Sequence, residues 1–420
     1  MRTAIRGARV IDGTGADPSE GATVVVEDGR VAGVWPRGQS GRMDETIDAA
    51  GLTLMPGLID AHVHATFNGI DTLRELMTPP SLSLYRAIRN LAATVDAGVT
   101  TVRDAGGSPA GLKLALEEGL FPGPRMKVAI TILSQTGGHA DPTAPSTCCL
   151  RFQLPDIPNS VVDGVEPMRQ RVREILRAGA DWIKVCSTGG VLSTADAPSA
   201  SQFTIDELRA AVDEGQAHGD VEVMAHAQGT EGIKNAIKAG CKSIEHGIWL
   251  DDEAIEMMVR RNIFLVPTLV APIQVIRQLE ANPGRAPAVF LEKARRVVED
   301  HRASFRRAAE AGIRVAMGTD SGVGPHGQNG EELALMVAAG MQPMDAIVAS
   351  TRSAAELLKV DSEVGTLEPG RLADLLLVDG NPLEDIRVLQ DQDRVVMVMQ
   401  AGRMLKNRAP ERLSTGGRAA

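Results

Sequence analysis

Leu54-Met55-Pro56-Gly57-Leu58-Ile59-Asp60-Ala61-His62-Val63-His64 is the stretch on which the fold of this chain turns. A short apolar run after a Pro-Gly break reads as a strand. Alternate residues of a strand face the same way, so His62 and His64 present both imidazoles on one side. Neutral imidazole is the commonest metal ligand among side chains, and two on one rigid strand make half of a metal site.

Outward from this strand, the middle of the chain alternates strand-like and helix-like patterns. Strand candidates centre on Leu58, Val102, Val128, Ile183, Val223, Ile244, Leu265 and Val315. Helical periodicity lies between them at 81–97, 109–118, 165–178, 204–217, 230–239, 251–261 and 287–311. Thr204 and Asp251 stand where N-caps belong, and Gly119, Gly219, Gly240 and Gly312 where helices should stop. Eight strands alternating with helices predict an α/β fold, a (β/α)₈ TIM barrel over residues 57–362. A doubly wound open sheet is the alternative, but no Gly-x-Gly-x-x-Gly turn follows the first strand.

Strand-like runs at 22–26 and 30–34, matched near the other end by 375–378 and 395–399, predict a small β-sandwich built from both chain ends. Its expected extent is 1–56 plus 363–407, and 408–420, rich in Gly, Arg and Pro, reads as a flexible tail.

The composition narrows the function. A length of 420 residues accommodates one large domain and a smaller one. A net charge of −10 without a basic block argues against nucleic acid and against an anionic membrane surface as partners. No apolar run is long enough to span a bilayer. The N-terminal Met1-Arg2-Thr3-Ala4-Ile5-Arg6 lacks the apolar segment of a signal peptide, so a cytoplasmic protein is expected. Cys148, Cys149, Cys186 and Cys241 are too few and too irregular for a disulfide framework and read as reduced thiols.

The chemistry-bearing residues fall at strand ends. Lys184 follows Asp181-Trp182-Ile183, His226 follows Glu222-Val223-Met224-Ala225, His246 follows Ser243-Ile244-Glu245, and Asp320 follows Val315-Ala316-Met317-Gly318-Thr319. The C-terminal ends of barrel strands are where active sites are built. One such histidine is ordinarily a satisfied core residue, but four histidines, a lysine and an aspartate together are not explained by packing. His139, in a Gly-rich stretch past the third strand, and His326, six residues after Asp320, read as loop residues of the same face that contact substrate. His218 and His301 lie in or at the ends of predicted helices, near Asp220 and Asp300, and are expected to face solvent.

At this point the chain resembles a known family. His62-x-His64, Lys184, His226, His246 and Asp320 are similar to the metal set of the amidohydrolase superfamily in its two-metal form. Pro56-Gly57-Leu58-Ile59-Asp60-Ala61-His62 and Gly370-Arg371-Leu372-Ala373-Asp374-Leu375 match its flanking signatures. The stretches 184–191 and 243–247 resemble the dipeptidase-like branch related to imidazolonepropionase. That branch includes Xaa-Pro and Xaa-Arg dipeptidases and amidohydrolases degrading ochratoxin-type phenylalanine amides.

The resemblance implies two divalent ions, Zn²⁺ being favoured by the imidazole-rich set. His62, His64 and Asp320 would hold one, and His226 and His246 the other. Lys184 would bridge them, which an ammonium cannot do, having no lone pair. Reaction with CO₂ gives a carbamate, an anionic two-oxygen ligand. Hydrolysis of an amide by metal-activated water is then expected, with Asp320 moving the proton and His139 polarising the carbonyl.

The substrate expected is a dipeptide or N-acyl amino acid cleaved in carboxypeptidase-like fashion. An aryl amide, phenylurea or carbamate is the second reading, and a non-enzymatic scaffold of the same fold the third. Several dipeptidases of the branch carry a tyrosine soon after the fifth-strand histidine, whereas this chain reads His226-Ala227-Gln228-Gly229 and its sole tyrosine is Tyr85. Gln228 is thus a candidate substrate contact. Arg103 is a candidate carboxylate clamp, unless it pairs with Asp104 or another barrel acid. The βα loops 134–160, 187–203, 267–285 and 321–330 are expected to set specificity. Relatives in the branch are often homo-oligomers, which is the expectation here.

Overall fold

A computed structural model describes residues 1–36, 41–144, 146–149, 154 and 156–408. The expected tail beyond Arg408 lies outside the described residues, as does part of the 134–160 loop. All eight predicted strand centres fall in strands, and they are joined by parallel pairing. They form two ladders. Leu58–Val63, Val99–Asp104 and Arg125–Val128 make a three-stranded sheet. Ile132–Leu133, Ile183–Cys186, Val223–Ala227, Ser243–His246, Phe264–Val266 and Arg314–Val315 make a six-stranded one.

The closed eight-stranded ladder expected from the alternation is therefore not formed. The third predicted strand is split between the two sheets. Ile130 stands between its halves with φ +63°, a conformation that is costly for a β-branched residue and breaks the extended run. A few backbone bonds still reach across both seams, Asp181 N–H and Trp182 N–H to Val128 O at 2.8 and 3.2 Å, and Ala61 N–H to Met317 O at 2.8 Å with Asp320 N–H to His62 O at 2.7 Å.

The helices fall close to where periodicity placed them, including Pro80–Asp96, Ile205–Ala217, Asp252–Arg261 and Ala288–Glu310. Thr204 and Glu207 close a reciprocal capping box, and Asp251 caps through Ala254 N–H. The 267–285 segment departs from expectation, since it contains the helix Val270–Ala281.

Both chain ends enter one hydrogen-bonded mixed sheet of eight strands. Thr53–Pro56 is the join, parallel to Arg2–Val10 on one side and antiparallel to Leu375–Val378 on the other. Ile5, Val24, Leu54, Leu375, Leu377 and Val396 pack together on it. Alternation in a terminal strand reports a buried face but not whether a second sheet covers it. Two residues past the join, the chain begins the strand Leu58–Val63, which carries His62.

Candidate metal centre

The C-terminal strand ends surround a cavity of about 290 Å³, near the lower end for small-molecule sites. His62, His64, Lys184, His226, His246 and Asp320 all line it. Strand register explains the gathering, since Cys186 pairs with His226 and Ala227 with His246, aligning neighbouring strand ends.

Second partners orient the rings. His62 Nδ1 lies 2.6 Å from Glu245 Oε2, His64 Nδ1 2.7 Å from the Gly106 carbonyl, and His226 Nε2 3.0 Å from the Gly189 carbonyl. A carbonyl or carboxylate only accepts, so those nitrogens carry the protons of the neutral rings. The lone pairs are left at Nε2 of His62, Nε2 of His64 and Nδ1 of His226. His246 is held through Nδ1, 2.6 Å from Thr268 Oγ1. Burial, and then the charge of Lys184 among other causes, holds His62 well below the usual imidazole range. Burial is also the leading cause of the same shift at His226 and His246.

Asp320 Oδ1 lies 3.2 Å from His64 Nε2 and 3.6 Å from His62 Nε2. Burial raises its pKa, but its close neighbours His64, His62 and Lys184 outweigh that and hold it below the usual carboxylate range. Ligand atoms of His62, His246 and Asp320 lie within 4.8 Å of one another. Lone pairs facing one another at such distances repel unless a cation stands between them. Lys184 Nζ is buried and has no hydrogen-bond partner among the described residues, and burial lowers its pKa from the lysine range. An uncharged amine is the form that can take up CO₂. The donor set fits a divalent metal centre. The group that joins His62 and Asp320 to His246 spans both ligand sets that the sequence separates.

The backbone is strained at the same points. His246 (φ +73°), Thr268 (φ +53°) and Asp320 (φ +57°) all adopt the left-handed region, at a cost on the order of 1–3 kcal/mol each. Such strain persists where surrounding bonds over-determine it, and Asp320 N–H is fixed 2.7 Å from His62 O.

Other sequence candidates divide. His139 lines the cavity, stacked on His226 with ring centroids 4.2 Å apart. Gln228 also lines it, with Oε1 buried and lacking a partner among the described residues. His326 does not line it, and its Nε2 faces Phe67 O at 3.0 Å. Arg103 sits behind the site, fully buried, not at the cavity wall. Its guanidinium bonds Ala61 O at 2.7 Å and Glu245 Oε1 at 2.9 Å, and stacks over Trp182. The barrel-acid alternative for Arg103 is the one realised, because strand alternation turned the side chain inward.

Two residues were missed. Glu245 holds the His62 ring and pairs with Arg103, a role the sequence does not announce. His301 was expected in solvent but is buried, lines the cavity, and has Nε2 2.9 Å from His246 O. A signal existed: Phe290, Ala294, Val297, His301, Phe305 and Ala308 recur at helical spacing and are all buried. His218 is exposed, as expected.

Histidines, a lysine and a carboxylate lining a cavity at the ends of parallel strands define an α/β enzyme whose active site occupies its customary face. Residues 53–405 match the model of the amidohydrolase family, and the chain belongs to that family. It is accordingly a hydrolase acting on amide bonds. It is 34% identical to ochratoxinase of Aspergillus niger over 370 residues, covering 84% of this chain and 75% of that protein. A Xaa-Pro dipeptidase crystallised with methionine in its active site superposes with a TM-score of 0.89 at 34% identity, covering 96% of this chain and 99% of that one. A prolidase complexed with N-methylphosphonate-L-proline does so with a TM-score of 0.88 at 35% identity, covering 97% and 100%. Among the described residues no helix is long and apolar enough to cross a membrane.

Proposed function

We propose that this chain is a binuclear, metal-dependent amidase of carboxypeptidase-like type. It would release a C-terminal amino acid from a dipeptide or an N-acyl amino acid, ochratoxin-type phenylalanine amides included. The observation that carries the proposal is the convergence of imidazole lone pairs, the Asp320 carboxylate and the unpartnered Lys184 amine at one end of the cavity. The similarity to an ochratoxinase and to Xaa-Pro dipeptidases supports the substrate class.

His62, His64, His226, His246 and Asp320, with Lys184 as its carbamate, would hold two divalent ions, zinc for this donor set. When bound, such a pair lowers the pKa of water towards neutrality and polarises the amide carbonyl. Asp320 would take the attacking water's proton and deliver it to the leaving nitrogen. His139 and Gln228 border the same space and would meet the polar part of the substrate. Ile70, Val191, Ile248, Val275, Phe290 and Val323 form an apolar cluster that meets the cavity and suits an aryl or branched side chain.

One observation favours a second reading, the hydrolysis of aryl amides, phenylureas or carbamates. Among the described residues lining the cavity, Lys184 is the only lysine or arginine, so none of the described guanidinium groups is placed to clamp a free carboxylate. Paired substrates, one with a free α-carboxylate and one amidated, decide between the two on zinc-loaded protein. The carboxypeptidase reading expects the free acid to be turned over at least tenfold faster, on the order of one lost charge-assisted bond. Equal turnover would reject it.

A further inference from the structure

The loop after the Lys184 strand contains a chain of polar contacts that ends at His139. Lys293, on the helix Ala288–Glu310, is buried and donates to three carbonyls of this loop: Gly190 O at 3.0 Å, Ser193 O at 2.7 Å and Asp196 O at 2.6 Å. Its ammonium also lies 3.5 Å from Asp196 Oδ1. Asp196 Oδ2 accepts from Gln202 Nε2 at 2.9 Å, and Gln202 Oε1 in turn accepts from His139 N–H at 3.1 Å. Asp196 Oδ1 faces the Ser193 hydroxyl at very short range, and Ser193 Oγ lies 3.1 Å from His139 Nδ1.

Proton counting fixes the direction of these bonds. The Ser193 hydroxyl has one proton and, besides His139, two neighbours that only accept, Asp196 Oδ1 and the Gly190 carbonyl at 3.1 Å. The carboxylate oxygen is much the closest of the three and two oxygens so near need a proton between them, so Asp196 Oδ1 takes it and Ser193 Oγ has only lone pairs left for His139. The ring must therefore donate from Nδ1. In the neutral ring the lone pair then lies at Nε2, which has no hydrogen-bond partner among the described residues on a side chain that lines the cavity. Gly190 permits this placement, since a Cβ there would stand 2.2 Å from His139 Cε1.

We propose that Asp196 and Ser193, anchored by Lys293, are positioning residues that hold His139 as its Nδ1–H tautomer, so that Nε2 meets the substrate as a hydrogen-bond acceptor. This reverses the donor role expected for His139, because a neutral Nδ1–H imidazole has no proton at Nε2 to give to a carbonyl. The group recognised at this point is a donor, an N–H or O–H of the substrate. The tautomer assignment stands on the contacts alone, and only its kinetic consequence rests on the proposed amide hydrolysis.

The test uses full-length, ¹⁵N-histidine-labelled protein and long-range ¹H–¹⁵N correlation spectra, with His139→Gln identifying the His139 signals. The wild type should give the Nδ1–H pattern, and Ser193→Ala should shift it towards Nε2–H. In parallel, Ser193→Ala should lower kcat about 10- to 100-fold with KM changed by less than about threefold, and Ser193→Thr should restore most of the loss. An Nε2–H pattern in the wild type, or an unchanged pattern in Ser193→Ala, overturns the proposal. A shifted tautomer with unchanged kcat upholds the positioning role and refutes instead the placing of His139 at the reacting amide.

Discussion

Lys184 shows how a single residue can declare chemistry. A buried amine with no partner is a net cost in a core built only for stability. Lys184→Ala should leave the fold intact, reduce bound metal below one ion per chain by elemental analysis, and abolish turnover, with short carboxylic acids restoring part of it. Full activity in the plain variant would refute the bridging role. Asp320→Asn keeps the shape and removes the proposed base, so kcat should fall about 10²- to 10⁴-fold while KM stays within a few fold. Glu245→Gln tests the support beneath His62: metal affinity, read by competition with a chelator, should fall about 10- to 100-fold. All six proposed ligands were legible in sequence because strand ends expose a residue's role through its position. Arg103 and Glu245 were not, since their meaning lies in facing each other across the interior, 142 positions apart in the chain.

Helices were legible almost to the residue where caps and periodicity agreed, as at Thr204 and Asp251. The helix Val270–Ala281 was hidden because it has no side-chain N-cap and carries Pro272 in its first turn. Its start is held from elsewhere. Glu332, on the helix Gly330–Ala338, accepts from Leu269 N–H at 2.8 Å and Val270 N–H at 2.9 Å. Burial outweighs those bonds and pushes the Glu332 carboxyl from 4.5 up to about 8. Between these values the native chain binds a proton that the unfolded chain does not. The contribution to stability is therefore full below about pH 4.5 and lost as pH rises through about 8. Glu332→Gln should flatten the fall in Tm between about pH 5 and 8, and superimposable profiles would show that Glu332 does not titrate there. Because Ala271, Pro272 and Val275 of that helix line the cavity, the same substitution should also raise KM while leaving metal content unchanged.

At the scale of the whole molecule, the alternation of strands and helices revealed a parallel α/β core but not its closure. The break at Ile130 and the sparsely bonded seams are matters of local backbone geometry that hydrophobic patterning does not encode. The terminal strands were likewise legible as strands, while their union in one sheet depends on Leu375–Val378 pairing with Thr53–Pro56 across more than half the chain. This architecture brings the proposed ligands, from residues 62 to 320, together only in the folded state, so a metal held by them would be coupled to global stability. At free metal about 1,000-fold above Kd the gain is about 4 kcal/mol. Stripping the protein with a chelator should therefore lower Tm by several degrees, and zinc should restore it. If Lys184 is a ligand only as its carbamate, restoration should be complete with bicarbonate and partial in CO₂-free buffer. Lys184→Ala should show no bicarbonate dependence. Equal recovery of the wild type with and without bicarbonate would reject the carbamate while leaving the histidine and aspartate ligands in place, whereas no response to zinc in either buffer would reject the metal centre itself.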